Sequence, residues 1–286
     1  MLKIGILSEG YFGFDDYKDG LIKIKSHGYD CIDYSGFMSP ESPLYRMGGG
    51  EFSAYLGKVR KAADEAGVDV WQLHGMWPHD DTTPESCTSV LERHKKALIG
   101  AGMLGCKYFV IHPAMPFGWG KEPDKQKAYD TTAERFSALL PVAKDTGITL
   151  CIENMPFSAG HSFSSIKEIK DIVRRIDDKN VKACFDTGHC NVTGENQREA
   201  IVLLGEDLAA LHVHDDKGRC DRHLMPYQGE INWEDFIDGL AAIKFDGCIS
   251  LETCAEQKTP EPIREKLRAL FAETAKYLAA ETERRK

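Results

Sequence analysis

The sequence predicts a closed parallel (β/α)8 barrel, and two observations carry that expectation. Eight short apolar runs recur along the 286 residues, alternating with longer segments of helical spacing. Side chains able to bind a metal gather at the C-terminal ends of those runs. Strands alternating with helices imply right-handed βα units and a parallel sheet. Eight such units in a chain of this length close into a barrel. An open doubly wound sheet is the alternative, weakened by the lack of a GxGxxG after the first run. No Pro/Ser linker or low-complexity tract divides the chain, so residues 1–286 are read as one barrel domain.

The eight runs are Leu2–Leu7, Tyr29–Tyr34, Val68–His74, Lys107–His112, Ile148–Glu153, Val181–Asp186, Leu208–His214 and Gly247–Glu252. Helix-like segments lie near 16–27, 51–66, 85–103, 123–145, 163–176, 195–206, 232–243 and 260–281. In 232–243, Trp233, Phe236, Ile237, Leu240 and Ile243 fall at steps of three and four, one face of a helix. Thr83 before Pro84-Glu85, and Asn232 before Trp-Glu-Asp, read as N-caps. Gly67, Gly147 and Gly247 each stand between a helical stretch and a strand, where a left-handed residue is expected.

Composition narrows the function classes. At 42% hydrophobic the chain can bury a full core, which excludes disorder as its main state. No apolar run approaches the ~20 residues that span a bilayer. The start, MLKIGILSEG, lacks a basic region and a cleavage site and reads as the first strand rather than a signal peptide. A net charge of −9, from 45 acidic and 36 basic side chains, disfavours a protein built to grip nucleic-acid backbones. The nine Cys are scattered, with no CxxC, as expected of free thiols in a cytoplasmic protein. Cys31, Cys106, Cys151, Cys184 and Cys248 sit in apolar runs and read as small core residues.

The polar residues at the run ends point to chemistry. Run three ends in His74, run four in His112-Pro113 and run five in Glu153-Asn154. Run six ends Asp186-Thr187-Gly188-His189, run seven His212-Val213-His214-Asp215, and run eight Glu252-Thr253. The loop after run seven adds Asp221-Arg222-His223. In a closed barrel these ends share one rim, where active sites form. Each would be costly next to an apolar strand without a partner, and a shared metal meets that cost for several at once. Glu153, Asp186, His212 and Glu252 are the expected ligands. Three carboxylates and an imidazole suit Mn²⁺, Mg²⁺ or Co²⁺, with Zn²⁺ also open. His74, His112, His189, Asp221 and His223 form a second tier that holds further metal, orients the first ligands, or grips substrate hydroxyls.

Other features say less. His27, His79, His94 and His161 read as solvated. Gly48-Gly49-Gly50 lacks the Lys-Ser/Thr of a phosphate cradle and reads as a flexible loop. Phe117-Gly118-Trp119-Gly120 makes Trp119 a candidate wall of a sugar site. Arg219, with Lys217, is a candidate contact to an anionic or polar substrate.

These motifs, in order and spacing, resemble the xylose-isomerase-like TIM-barrel superfamily. It comprises sugar and sugar-phosphate isomerases and epimerases, inosose isomerases and dehydratases, hydroxypyruvate isomerase and endonuclease IV. The resemblance covers nearly the whole chain and includes Gln228-Gly229-Glu230 after Asp221-Arg222-His223. It implies a metal held by Glu153, Asp186, His212 and Glu252, with Glu153 and Glu252 as an acid/base pair across the substrate and His189 on substrate oxygens. The nine zinc ligands of endonuclease IV fall on His74, His112, Glu153, Asp186, His189, His212, Asp221, His223 and Glu252, and all nine residue types agree. Many ketose epimerases place a further Glu where this chain has Ala159, a departure that weakens a free-ketohexose epimerase in particular.

The expected function is therefore divalent-metal-dependent isomerisation or epimerisation of a sugar, sugar phosphate or inosose, by proton transfer through an enediolate stabilised by the metal. A dehydratase of the same superfamily, a zinc phosphodiesterase on abasic DNA and a non-catalytic polyol binder are the alternatives. A homo-oligomer is left open.

Overall fold

In the computed structural model, residues 1–118, 124–156, 163–254 and 258–286 are described. Eight parallel strands run in chain order: β1 Lys3–Leu7, β2 Cys31–Tyr34, β3 Asp69–His74, β4 Tyr108–Ile111, β5 Thr149–Glu153, β6 Val181–Asp186, β7 Leu208–His212 and β8 Cys248–Leu251. From β1 to β7 each strand pairs with the next, and β1 also pairs with β8, giving the order β7-β6-β5-β4-β3-β2-β1-β8. The ring closes between β7 and β8 through Val213, one residue past β7. The Val213 N–H donates to Ser250 O at 2.8 Å, and the Glu252 N–H donates to Val213 O at 3.1 Å. This is the (β/α)8 barrel that the alternation predicts.

The helices outside it are α1 Tyr17–His27, α2 Gly49–Ala66, α3 Pro84–Leu104, α4 Lys125–Thr146, α5 Ile166–Ile176, α6 Thr187–Thr193, α7 Gln197–Leu204, α8 Trp233–Ala242 and α9 Glu261–Arg285. Their starts follow local chemistry. Thr83 and Ser165 close capping boxes with Ser86 and Glu168, and the Asn232 side chain accepts from the Glu234 N–H. Gly67 and Gly147 are left-handed caps, as expected. No described helix is long and apolar enough to cross a membrane.

Three local expectations are corrected. Gly247 does not take the left-handed turn after α8; Lys244 does, at φ 54°. Gly247 instead leaves room for the Phe245 ring, which a Cβ there would overlap. Gly49 and Gly50 are not loop but the first residues of α2 behind the Gly48 cap. Short helix α6, absent from the sequence reading, exists because the Asp186 carboxylate accepts the His189 N–H at 2.6 Å and caps it.

The main core lies between sheet and helices, and two smaller clusters fill the barrel lumen: Val110, Cys151, Cys184 and Ala210, and Cys31, Trp71 and Cys248. Side chains alternate along a strand. Residues two positions beyond this small-residue layer therefore share its inward face. Two on from Cys31, Val110, Cys151, Cys184 and Ala210 these are Asp33, His112, Glu153, Asp186 and His212, a polar layer on an apolar floor. All five cysteines expected in the core are buried.

His79 and His94 are not solvated: both are buried, and His27 is largely so. His161 lies outside the described residues. His94 sits on α3 with neither ring nitrogen hydrogen-bonded, against Phe109 and His79. Burial, helped by Arg135 of α4, His79 and His112 and opposed by Asp81, holds its pKa well below the usual 6.5. The unfolded chain thus binds a proton below about pH 6.5 that the folded chain refuses. Stability tied to His94 is present above that pH and falls on acidification at up to about 1.4 kcal/mol per pH unit. Between pH 6.5 and 5.5 the wild type is expected to lose about 1 kcal/mol more than His94→Leu in urea denaturation. Equal losses would refute this.

Candidate active site

The C-terminal rim of the barrel gathers every described donor that the sequence singled out. Glu153, Asp186, His212 and His74 end β5, β6, β7 and β3; His112 and Glu252 lie one residue past β4 and β8. His189 comes from α6, and Asp221 and His223 from the β7–α8 loop. All but Asp221 and His223 are buried.

His212 is the hub. Its Nδ1 lies 3.1 Å from Glu153 Oε1 and 3.0 Å from Glu252 Oε2. His74 Nε2 is 3.9 Å from both Glu153 and Glu252, and His112 Nε2 is 3.2 Å from Glu153 Oε2. Asp186 stands beside this trio rather than in it. Its Oδ2 meets His214 Nε2 at 3.0 Å, and its backbone is fixed by both ends of the Asn154 amide. His189 Nδ1 bridges the two parts, 3.5 Å from Glu153 and 3.6 Å from Asp186, and accounts for its own proton with Asn154 O at 2.8 Å. Beyond it, His189 Nε2 lies 3.4 Å from Asp221, and His223 Nε2 lies 3.2 Å from Asp221.

Electrostatics follow from this crowding. Burial opposes charge on Glu153 and Glu252, yet His212 beside both holds each carboxyl well below the usual range. Burial pushes His112 down to about 4 despite Glu153. Against the same burial, Asp186 and Asp221 lift His189 to about 10.

The donors fit a divalent cation. Glu153 Oε2, Glu252 Oε2 and His212 Nδ1 are buried without a hydrogen-bond partner, a costly state for three converging polar atoms. Groups of three with ligand atoms within 4.8 Å of one another include His74–His212–Glu252, His74–His112–Glu153, Asp186–His189–His214 and His214–Asp221–His223. Oxygen and imidazole donors of this kind suit Mn²⁺, Mg²⁺, Co²⁺ or Zn²⁺.

A cavity of about 550 Å³ opens over the donors. Leu7, Met38, Trp77, Met155 and Val192 form apolar walls, and Glu9 and Arg219 bring opposite charges to it. Arg219 therefore borders the site, as expected. Trp119 and Ala159 lie outside the described residues. An aromatic wall is nonetheless present in Trp77, whose ring packs 4.4 Å from the His112 ring.

Sequence reading missed Asp33, Gln72 and the role of His214. Asp33 Oδ2 meets His212 Nε2 at 2.9 Å and accepts from Gln72 Nε2 at 2.8 Å. A charged residue in the buried strand Cys31-Ile32-Asp33-Tyr34 was the available signal. His214 is enclosed by Asp186 and Asp216, and a Cβ on Gly188 would overlap both its ring and Asp216.

A family model described as xylose isomerase-like TIM barrel matches residues 21–273. An uncharacterized protein of Methanocaldococcus jannaschii is 31% identical over 242 residues, 80% of this chain and 76% of the relative. A D-psicose 3-epimerase of Ruminiclostridium cellulolyticum is 28% identical over 245 residues, 83% and 78% of the two chains. A probable endonuclease 4 of Mycoplasmoides gallisepticum is 28% identical over 148 residues, 47% of each. Among solved structures, D-psicose 3-epimerase from Clostridium cellulolyticum H10, with D-tagatose, superposes with a TM-score of 0.81 at 19% identity, covering 97% of this chain and 99% of that one.

Proposed function

Because the chain belongs to the xylose isomerase-like TIM barrel family, we propose that it is a divalent-metal-dependent isomerase or epimerase of a sugar, sugar phosphate or inosose. The observation that carries this reading is the pair of buried carboxylates, Glu153 and Glu252, each about 3 Å from the same His212 nitrogen and each with an oxygen that forms no aligned hydrogen bond. The sugar epimerase among its relatives supports the substrate class.

Glu153, His212 and Glu252 would hold the ion, with Asp186, beside them and linked through His189, as the fourth expected ligand; the ion would supply positive charge that lowers the cost of charge developing on a substrate oxygen. Both glutamates are held ionised by His212, so either can accept a proton from the carbon beside the carbonyl. The C–H electron pair then forms the C=C bond of an enediolate as the carbonyl π pair moves onto oxygen. Return of a proton to the neighbouring carbon gives isomerisation, and return to the opposite face gives epimerisation. Loss of a β-hydroxide from the same species would be dehydration. His189, lifted to about 10, offers a positively charged donor to substrate oxygens. Arg219 contacts the far end of the substrate, and Trp77 packs behind His112. Trp119 is retained as a candidate wall. His74, His112, Asp221 and His223 orient these groups.

A second reading, a zinc phosphodiesterase on abasic DNA, draws on the linked nine-donor network and the endonuclease 4 relative. The net charge of −9 weighs against it.

The deciding experiment offers the protein, with Mn²⁺ in D₂O, a panel of ketoses, inososes and their phosphates. Solvent deuterium is expected at the α carbon of at least one, and chelation of the metal is expected to abolish it. No exchange across the panel, with nicking of abasic DNA at low salt, would overturn the proposal in favour of the second reading.

A further inference from the structure

We propose that Asp33 is a positioning residue for His212, fixing which ring nitrogen faces the Glu153–Glu252 pair, and that Gln72 holds Asp33 in place. The inference rests on the metal-dependent reading above.

Asp33 and His212 are each 1% exposed, and they come from β2 and β7, strands that do not pair. Their 2.9 Å contact therefore spans the barrel lumen just under the rim. Gln72 of β3 donates its amide to the same Asp33 oxygen at 2.8 Å and reaches Leu211 O at 3.3 Å. This ties the strut to the backbone residue preceding His212.

A carboxylate accepts hydrogen bonds and donates none, so the proton of this contact belongs to His212 Nε2. A cation arriving between the two glutamates displaces any proton on Nδ1; the neutral imidazole then keeps its proton on Nε2, and Nδ1 is the lone pair. That nitrogen, Nδ1, is the atom between Glu153 and Glu252, and it has no hydrogen-bond partner. Asp33 thus presents a metal-ready nitrogen. A carboxylate behind a ligating histidine commonly raises metal affinity by about 10–100-fold. Asp33→Asn keeps the shape but can donate as well as accept, so it no longer enforces one tautomer.

Two measurements test this. Mn²⁺ binding to wild type and Asp33→Asn, followed by the EPR signal of free Mn²⁺, is expected to show a loss of about 10–100-fold in the variant. The ¹⁵N spectrum of the Zn²⁺-loaded wild type is expected to show His212 Nε2 bearing the proton and Nδ1 bound to the ion. The second readout needs no variant to fold. It also separates tautomer control from bulk stability, which a merely structural Asp33 would affect alone. Asp33→Asn binding Mn²⁺ within twofold of wild type, or metal on Nε2 in the wild type, would overturn the inference. A wild type that takes up neither ion would remove the proposed function itself.

Discussion

Replacing Glu252 by Gln is expected to lower α-proton exchange by about 10³-fold at saturating Mn²⁺, the range lost with a general base. The substitution keeps the volume of the side chain and leaves the bond from His223 Nδ1 to the Glu252 backbone oxygen intact. It removes the negative charge that faces His212 Nδ1 at 3.0 Å. Metal binding weakens as well, so exchange is to be read with Mn²⁺ varied until the rate no longer rises. Exchange within tenfold of wild type under those conditions would assign the proton transfer elsewhere. The matching Glu153→Gln change touches more partners, since Glu153 also faces His112 and His189. Its loss of Mn²⁺ affinity should be the larger of the two.

The largest stability effect is expected at Asp81, which is not among the metal-binding donors. Asp81 is buried in the loop after β3. It pairs with Arg135 of α4, lies 2.9 Å from His79 Nδ1 and accepts the Met115 N–H at 2.9 Å. One carboxylate therefore joins two rim loops and a helix. Burial works against its charge, but His79 and Arg135 more than compensate and hold the carboxyl well below its usual range. Asp81→Ala leaves the buried Arg135 guanidinium without a counter-charge and is expected to cost about 3–5 kcal/mol in urea denaturation. Adding Arg135→Met should recover most of that loss, because an apolar pair replaces an ion pair at little cost. A double variant no more stable than the single would refute the account.

The barrel was legible because each strand is a compact apolar run and most helices carry end signals, such as Thr83, Gly67 and Gly147. Lys244 was not legible, since a left-handed lysine has no sequence signature and a nearby Gly247 offers the easier candidate. The rim donors stood out as polar residues closing apolar runs. Asp33 did not, because Tyr34 follows it and the strand ends one residue later than the donor. Its inward face follows from counting by twos from Cys31. His79 and His94 lie among polar and helical residues that look solvated; their burial comes from packing on each other, on Asp81 and on Phe109 of β4, a tertiary fact that no local pattern carries.

The seam between β7 and β8 gives the site a property of its own. The sheet is one ribbon, continuous from β7 round to β8, and two backbone bonds made by Val213, one residue past β7, join its edges. Glu153, Asp186 and His212 ride on one end of that ribbon, and Glu252 rides on the other. Assembling the donor set and fastening the ring are therefore a single event. A cation gripped by His212 and Glu252 would act as a rivet through the overlap, and part of its binding energy would be felt as mechanical closure of the fold.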